Sequence, residues 1–262
     1  MVRRMPDRPP TDRPGPEDGE RAQFGARSVP RAAKAGLVRE VFENVAPRYD
    51  LMNDLMSLGL HRLWRRALVD WLLPRPAMHL LDLAGGTGDV AFRYLAAGGG
   101  RVTVLDVNGA MLEVGRRRAA RRRLERRIDW VQGDAERLPL ADLALDAVAI
   151  AFGIRNCTDI PAVLGEARRV LRPGGRFLCL EFSRLALPGL TRLYDAYSER
   201  VVPRLGAVVA RDREAYVYLV ESIRRFPPQQ QFADMLAAAG LGRVGWRNLS
   251  GGIVAMHSGW RI

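Results

Sequence analysis

The chain has 262 residues, 48% hydrophobic and 27% charged, with 41 Lys and Arg against 29 Asp and Glu for a formal net charge of +12. Such a chain can bury a core unaided, as one large domain with extensions. The basic balance implies an anionic neighbour (nucleic acid, lipid or an acidic substrate), although arginine greatly outnumbers lysine, a bias that nucleotide composition alone can produce. The two cysteines, Cys157 and Cys179, lie in apolar stretches without metal-ligand spacing, so the expectation is reduced cytosolic thiols and no metal. No apolar run approaches the roughly 18 residues of a membrane span, and no signal core opens the chain.

Residues 1–36 are rich in Pro, Arg, Asp and Gly and read as a disordered basic tail. From Leu37 the pattern changes. Val38, Val41, Phe42 and Val45 fall at i, i+3, i+4, i+7, predicting an amphipathic helix that Pro47 ends. After the connector Tyr49-Asp50-Leu51-Met52-Asn53-Asp54, a second helix carries Leu60, Leu63, Trp64, Ala67, Leu68, Trp71 and Leu72 and is closed by Pro74 and Pro76. Residues 37–76 are therefore expected to cap the cleft of the core that follows.

In that core, 77–182, strands are predicted up to Leu83, over Arg101–Asp106, Ile128–Gln132 and Leu145–Phe152, and, after Pro173-Gly174-Gly175, over Arg176–Phe182. Helical periodicity fills the intervals. Alternation of this kind predicts a Rossmann-like α/β fold with a mostly parallel sheet and right-handed crossovers. Residues 183–240 read as a helical substrate lid. Two β-like runs in 241–262, joined through Ser250-Gly251, predict a terminal antiparallel hairpin that completes a seven-stranded sheet.

The most informative stretch is Leu80-Leu81-Asp82-Leu83-Ala84-Gly85-Gly86-Thr87-Gly88-Asp89. Strand, glycine turn and helix start make the nucleotide-cradling unit of doubly wound folds. Asp82 ahead of the glycines would repel a pyrophosphate but favour a cationic ligand. Asp106, ending the next strand, is placed to take both hydroxyls of a ribose. An adenosine ribose beside a cationic tail points to S-adenosylmethionine rather than to a nicotinamide dinucleotide. Asp134, after the third strand, is placed to accept the adenine amino group, with Ala135 offering a backbone N–H.

Several further stretches together resemble the ubiquinone/menaquinone biosynthesis C-methyltransferase family of class I S-adenosylmethionine-dependent methyltransferases. They are Val41–Ala46 with Tyr49–Asp54, Gly59–Trp64, Leu81–Asp89, Ala151–Asn156, Asp195–Ser198, Tyr218–Arg224 and Asn248–Ala255. The resemblance runs from about Leu37 to the C-terminus. It implies cofactor contacts from Thr87, Asp106, Asp134 and Ala135, within a site that also includes Asp82, Gly85, Gly86 and Gly88. One departure is Ala151, where some relatives carry serine, so no hydrogen bond is carried over there.

The reaction implied is methylation of a ring carbon of a polyprenylated quinol. Arg155 would stabilise the phenolate, with Asn156 beside it, and Tyr49, Asp50 and His61 are candidates for positioning or proton relay. A polyprenyl acceptor implies work at the inner face of the cell membrane. The arginines between Arg116 and Arg127 are candidates for meeting anionic headgroups, and Tyr194, Tyr197, Tyr216 and Phe226 for lining a tail groove. No nucleic-acid partner is expected, because no nucleic-acid-binding fold is recognisable. A homodimer or a quinone-biosynthesis complex is expected. Another lipid, or RNA, is the alternative acceptor.

Overall fold

In a computed structural model of the chain, the residues described are 21–25, 27–45, 57, 59–184 and 213–262. A seven-stranded sheet organises them. Its strands are β3 (His79–Leu83), β4 (Arg101–Asp106), β5 (Ile128–Gln132), β6 (Leu145–Ala151), β7 (Leu171–Phe182), β8 (Gly242–Leu249) and β9 (Val254–Trp260), in the order β5-β4-β3-β6-β7-β9-β8. The first five are parallel, and β9 runs antiparallel to both β7 and β8. The fold class expected from the alternation is the one observed.

The parallel strands are buried on both faces, as helix-covered strands must be. Along β3, Leu80 packs with Val102, Val104 and Ala147 on one side, while Leu81 and Leu83 pack with Val148, Ile150 and Phe177 on the other. The first face is covered by α2 (Leu60–Leu72), α3 (Asp89–Ala96) and α4 (Gly109–Arg121). The second is covered by α5 (Ile160–Val170) and α7 (Gln229–Ala238). Tyr94 of α3 is wholly buried, and its hydroxyl donates to the Met78 carbonyl at 2.8 Å and accepts from Gly100 N–H at 3.2 Å. Helix α6 (Arg213–Arg225) and α7 lie within the segment expected to be a lid; its residues 185–212 lie outside the described residues.

Two expectations are corrected. Strand β7 starts at Leu171 rather than Arg176 and carries the Pro173-Gly174-Gly175 stretch as an irregularity. Gly174 N–H donates to the Arg261 carbonyl at 2.7 Å and Arg261 N–H to the Gly175 carbonyl at 2.9 Å, so the chain's end holds that stretch in the sheet.

The second correction concerns the N-terminus. Residues 21–36, read as tail, contain an antiparallel hairpin, β1 (Arg21–Phe24) with β2 (Arg27–Pro30), and the start of α1 (Arg31–Val45). Its anchors are few, which is why apolar periodicity missed it. Phe24 stacks on Tyr218 of α6 at 4.5 Å between ring centroids, with Val38 in the same small cluster. A single aromatic side chain buries enough area to seat a short hairpin.

Candidate active site and cofactor pocket

The strand order reverses between β3 and β6, the switch point at which doubly wound sheets hold their ligands. A cavity opens there, beyond the carboxyl ends of β3, β4 and β6. The backbone at its floor is strained. Ala84 and Phe152, the residues just past β3 and β6, both adopt left-handed φ, 51° and 59°, a conformation that costs a non-glycine residue of order 1 kcal/mol or more. A Cβ at Gly153 would stand 2.7 Å from that of Ala84, so the two chain reversals fit side by side only with glycine at 153.

Two carboxylates hold the pocket together. Asp82 is 1% exposed, and its Oδ2 accepts from the Ala91 N–H of α3 at 3.1 Å. A Cβ at Gly85 would lie 2.7 Å from its carboxyl carbon, so the turn closes directly over the acid. Burial pushes the Asp82 pKa up to about 7, opposed by the Ala91 N–H and the Arg65 charge. Asp106 accepts from Gly86 N–H through Oδ2 at 2.9 Å and from Asn108 N–H through Oδ1 at 2.8 Å. Burial raises its pKa too, against those donors. Each oxygen keeps a further lone pair for a hydroxyl.

These bonds disfavour phosphate. Gly85 N–H donates to the Leu105 carbonyl, Gly86 N–H to Asp106 and Gly88 N–H to the Gly85 carbonyl. These three N–H groups of the turn are therefore not free for a pyrophosphate. What it presents instead is acid: Asp82, Asp106 and Asp134 all line the cavity. That donor set fits an adenosyl cofactor with a cationic tail.

Of the other expected cofactor residues, Gly85, Gly86, Thr87, Asp134 and Ala135 line the same cavity, and Gly88 does not. Thr87 is buried, and its Oγ1 accepts from Arg118 of α4 at 2.9 Å. Gly88, at φ 82°, caps α3. Ala135 is buried at the wall. Asp134 is exposed, and its Oδ1 accepts from Glu136 N–H at 2.9 Å, which closes the loop after β5.

The expected catalytic residues separate. Arg155, in a short 3-10 turn (Ile154–Asn156) beyond β6, is no isolated cation. Its Nη1 donates to Glu181 Oε1 of β7 at 2.8 Å and to the Phe152 carbonyl at 2.6 Å. The pair is buried, with side chains 5% and 1% exposed, and a charge so far from water requires such a partner. Arg155 Nε and Glu181 Oε2 are buried and have no hydrogen-bond partner among the described residues. Burial raises the Glu181 pKa, opposed by the Arg155 charge. Asn156 lines the cavity, and its Oδ1 accepts from Tyr218 Oη at 3.1 Å.

His61 is buried in the first turn of α2, its Nδ1 2.9 Å from Ser57 Oγ, which also accepts the His61 N–H. It is not among the residues lining the cavity, and its bonds to Ser57 are those of a helix start. Tyr49 and Asp50 lie outside the described residues.

Three participants escaped the sequence reading. Glu181 and Tyr218 orient Arg155 and Asn156 from distant elements. Arg65 of α2 is 4% exposed, lines the cavity, donates to Asp89 Oδ2 at 3.1 Å and stands over the Phe152 ring at 5.5 Å. A cation on the inner face of an otherwise amphipathic helix was the available signal for Arg65. Tyr218 lies in one of the stretches that carry the resemblance, and Glu181 had no signal.

Fold and pocket define a class I S-adenosylmethionine-dependent methyltransferase. Solved structures share the fold. A SAM-dependent methyltransferase from Thermotoga maritima matches with a TM-score of 0.63 at 20% identity, covering 86% of this chain and 100% of that one. One from Aquifex aeolicus matches at 0.56 and 16% identity, covering 81% and 98%. A model of the ubiE/COQ5 methyltransferase family matches residues 30–261, and the chain belongs to that family. Curated relatives named ubiquinone/menaquinone biosynthesis C-methyltransferase UbiE are 57% identical in Paracoccus denitrificans, over 94% of this chain and 99% of theirs, and 58% identical in Acidiphilium cryptum, over 93% and 98%. The chain is an S-adenosylmethionine-dependent C-methyltransferase.

Two outcomes are expected. Replacing Asp106 with Ala removes charge-assisted bonds worth about 1.5–3 kcal/mol, so calorimetry should show cofactor affinity falling at least about tenfold; unchanged affinity would refute the assignment. For Asp82, the raised native pKa means the folded state holds a proton the unfolded chain gives up. That stabilisation is full below about pH 4 and lost as pH rises through about 7. A cationic ligand favours the carboxylate, so cofactor binding near pH 7 should expel a fraction of a proton. Calorimetry in buffers of differing ionisation enthalpy measures this, and Asp82→Asn should abolish it.

Proposed function

We propose that this enzyme methylates a ring carbon of a polyprenylated quinol in the synthesis of ubiquinone, menaquinone or both, at an anionic membrane surface. The observation that carries the acceptor class is the match of more than nine-tenths of the chain to relatives named for that biosynthesis. When bound, S-adenosylmethionine supplies an electrophilic methyl group on its sulfonium. The protein must supply a nucleophilic ring carbon, which arises when an ortho or para hydroxyl ionises.

For a phenol of pKa about 10, ionisation at pH 7 costs about 4 kcal/mol, and an adjacent cation lowers such a pKa by about 1–3 units. Arg155 suits that task. It adjoins the cavity-lining Asn156, Glu181 fixes its orientation, and its Nε–H is unspent. An arginine does not accept the proton at this pH, so it stabilises the phenolate while another group takes the proton. Tyr49, Asp50 and His61 are the candidates for that role.

The membrane enters through the acceptor's tail. At about 0.8 kcal/mol per buried CH₂, a long prenyl chain stays in the bilayer and the enzyme must come to it. No helix among the described residues is long and apolar enough to cross a membrane. Much of the arginine run is already committed. Arg118 holds Thr87, Arg127 binds the Gly99 and Gly100 carbonyls, Arg122 stands over Phe92 at 4.3 Å, and Arg116 and Arg117 pair with Glu113. Phe226 packs on Phe232 in the core, so it does not line a tail groove. Tyr194 and Tyr197 lie outside the described residues.

The expected result for Arg155→Ala is a fall in turnover of about a hundredfold or more, with cofactor affinity within about threefold of wild type. Equal losses in both would contradict a role confined to the acceptor. Vesicles containing anionic lipid should bind the protein at low salt and release it as salt rises. Failure to bind at low salt would remove the membrane from this reading. Mass spectrometry of the quinones accumulating in a deletion host distinguishes benzoquinol from naphthoquinol acceptors.

A further inference from the structure

Lys34 is the only lysine in the chain; every other one of the 41 basic residues is arginine. Its surroundings give a reason. Lys34 is 6% exposed, and its Nζ donates to the Cys157 carbonyl at 2.7 Å. A compact ammonium can meet one buried carbonyl end-on, whereas a planar guanidinium would bring up to five donors into the same slot.

That carbonyl belongs to the segment after β6 which, with the loop after β5, forms one wall of the cofactor cavity. Glu136 Oε1 ties the two together by accepting the N–H groups of Thr158, at 2.5 Å, and Asp159, at 2.9 Å. Arg31, one turn before Lys34, pairs with Asp159 at 2.6 Å. Val38, one turn after it, lines the cavity together with Glu136, Cys157 and Thr158. Helix α1 is thus fastened at Arg31 and Lys34 so that its next turn closes the wall.

We propose that Lys34 is a positioning residue for the cofactor, one that acts through the Cys157 carbonyl to seat α1 and Val38 over the cavity, and that arginine cannot take its place. Because seating and binding are then coupled, each must favour the other. Cofactor should slow hydrogen exchange of the α1 amides, and weakening the seat should speed cofactor release.

The test uses the full-length protein with S-adenosylhomocysteine as the probe. It compares wild type with Lys34→Arg, Lys34→Met and Val38→Ala by calorimetry, stopped-flow dissociation and hydrogen exchange, with thermal melting of the ligand-free forms as the control. In wild type the ligand should slow α1 exchange. Both Lys34 variants should release it at least tenfold faster and lose that protection, beyond any drop in ligand-free melting point that the unpaired Cys157 carbonyl brings. Val38→Ala should weaken binding while leaving α1 seated. The proposal is overturned if Lys34→Arg binds like wild type, or if the ligand leaves wild-type α1 exchange unchanged. It is also overturned if the Lys34 variants lose melting temperature without changing the dissociation rate. Normal binding by wild type in the same assay keeps the cofactor assignment separate from any of these failures.

Discussion

The site depends on two carboxylates that end neighbouring strands and are satisfied mainly by backbone. Asp106 takes the N–H of Gly86 on one oxygen and that of Asn108 on the other, so one side chain fixes the turn after β3 and the start of α4. Asp82 takes the Ala91 N–H and anchors α3. Desolvating two acids here is unfavourable, as their raised pKa values show. A cationic ligand offsets part of that cost, so the same interaction that shapes the pocket also selects what enters it. An anionic cofactor would add to the cost.

Charge accounting extends outward from there. Arg65 stands near Asp82 but is bonded to Asp89, and Arg155 is bonded to Glu181. Each buried cation thus has a carboxylate that prevents it from collapsing onto the wrong acid. The arrangement leaves the buried Nε–H of Arg155 unspent. Two aromatic rings separate these cations: Arg65 stands over Phe152 and Arg155 over Phe182, the rings being 4.9 Å apart.

The cofactor half was legible because its signals are local. Asp82, the glycines and Asp106 occupy strand ends and a turn whose chemistry is set by residues a few positions away, and strand alternation placed them. The acceptor half was legible only by resemblance, and what the structure adds there is long-range. Arg155 and Glu181 are 26 residues apart, and Asn156 and Tyr218 are 62 apart. No periodicity encodes such pairs. His61, in a stretch carried by the resemblance, sits in the first turn of α2 with Ser57 as a partner. The hairpin at 21–30 was hidden because Phe24 finds its partner on α6, nearly two hundred residues further along the sequence.

These long-range ties explain how one sheet serves a particular acceptor. Most of the donor pocket is made by β3 to β6 and their loops, which fold neighbours with 20% identity or less share in outline. The rest of the site is brought to that sheet by segments from both ends of the chain. Trp64 of α2 donates from its indole N–H to Ser250 Oγ in the turn before β9 at 2.9 Å, joining the N-terminal cap to the C-terminal hairpin. Phe24 joins the first hairpin to α6 beside Tyr218, which in turn holds Asn156. A mutation at Phe24 or Tyr218 can therefore reach Asn156 through one or two contacts while leaving the glycine turn intact. Losses of turnover without loss of cofactor affinity should accordingly map to Phe24 and Tyr218, and losses of both to the strand ends at Asp82 and Asp106 and to the seat of α1 at Lys34.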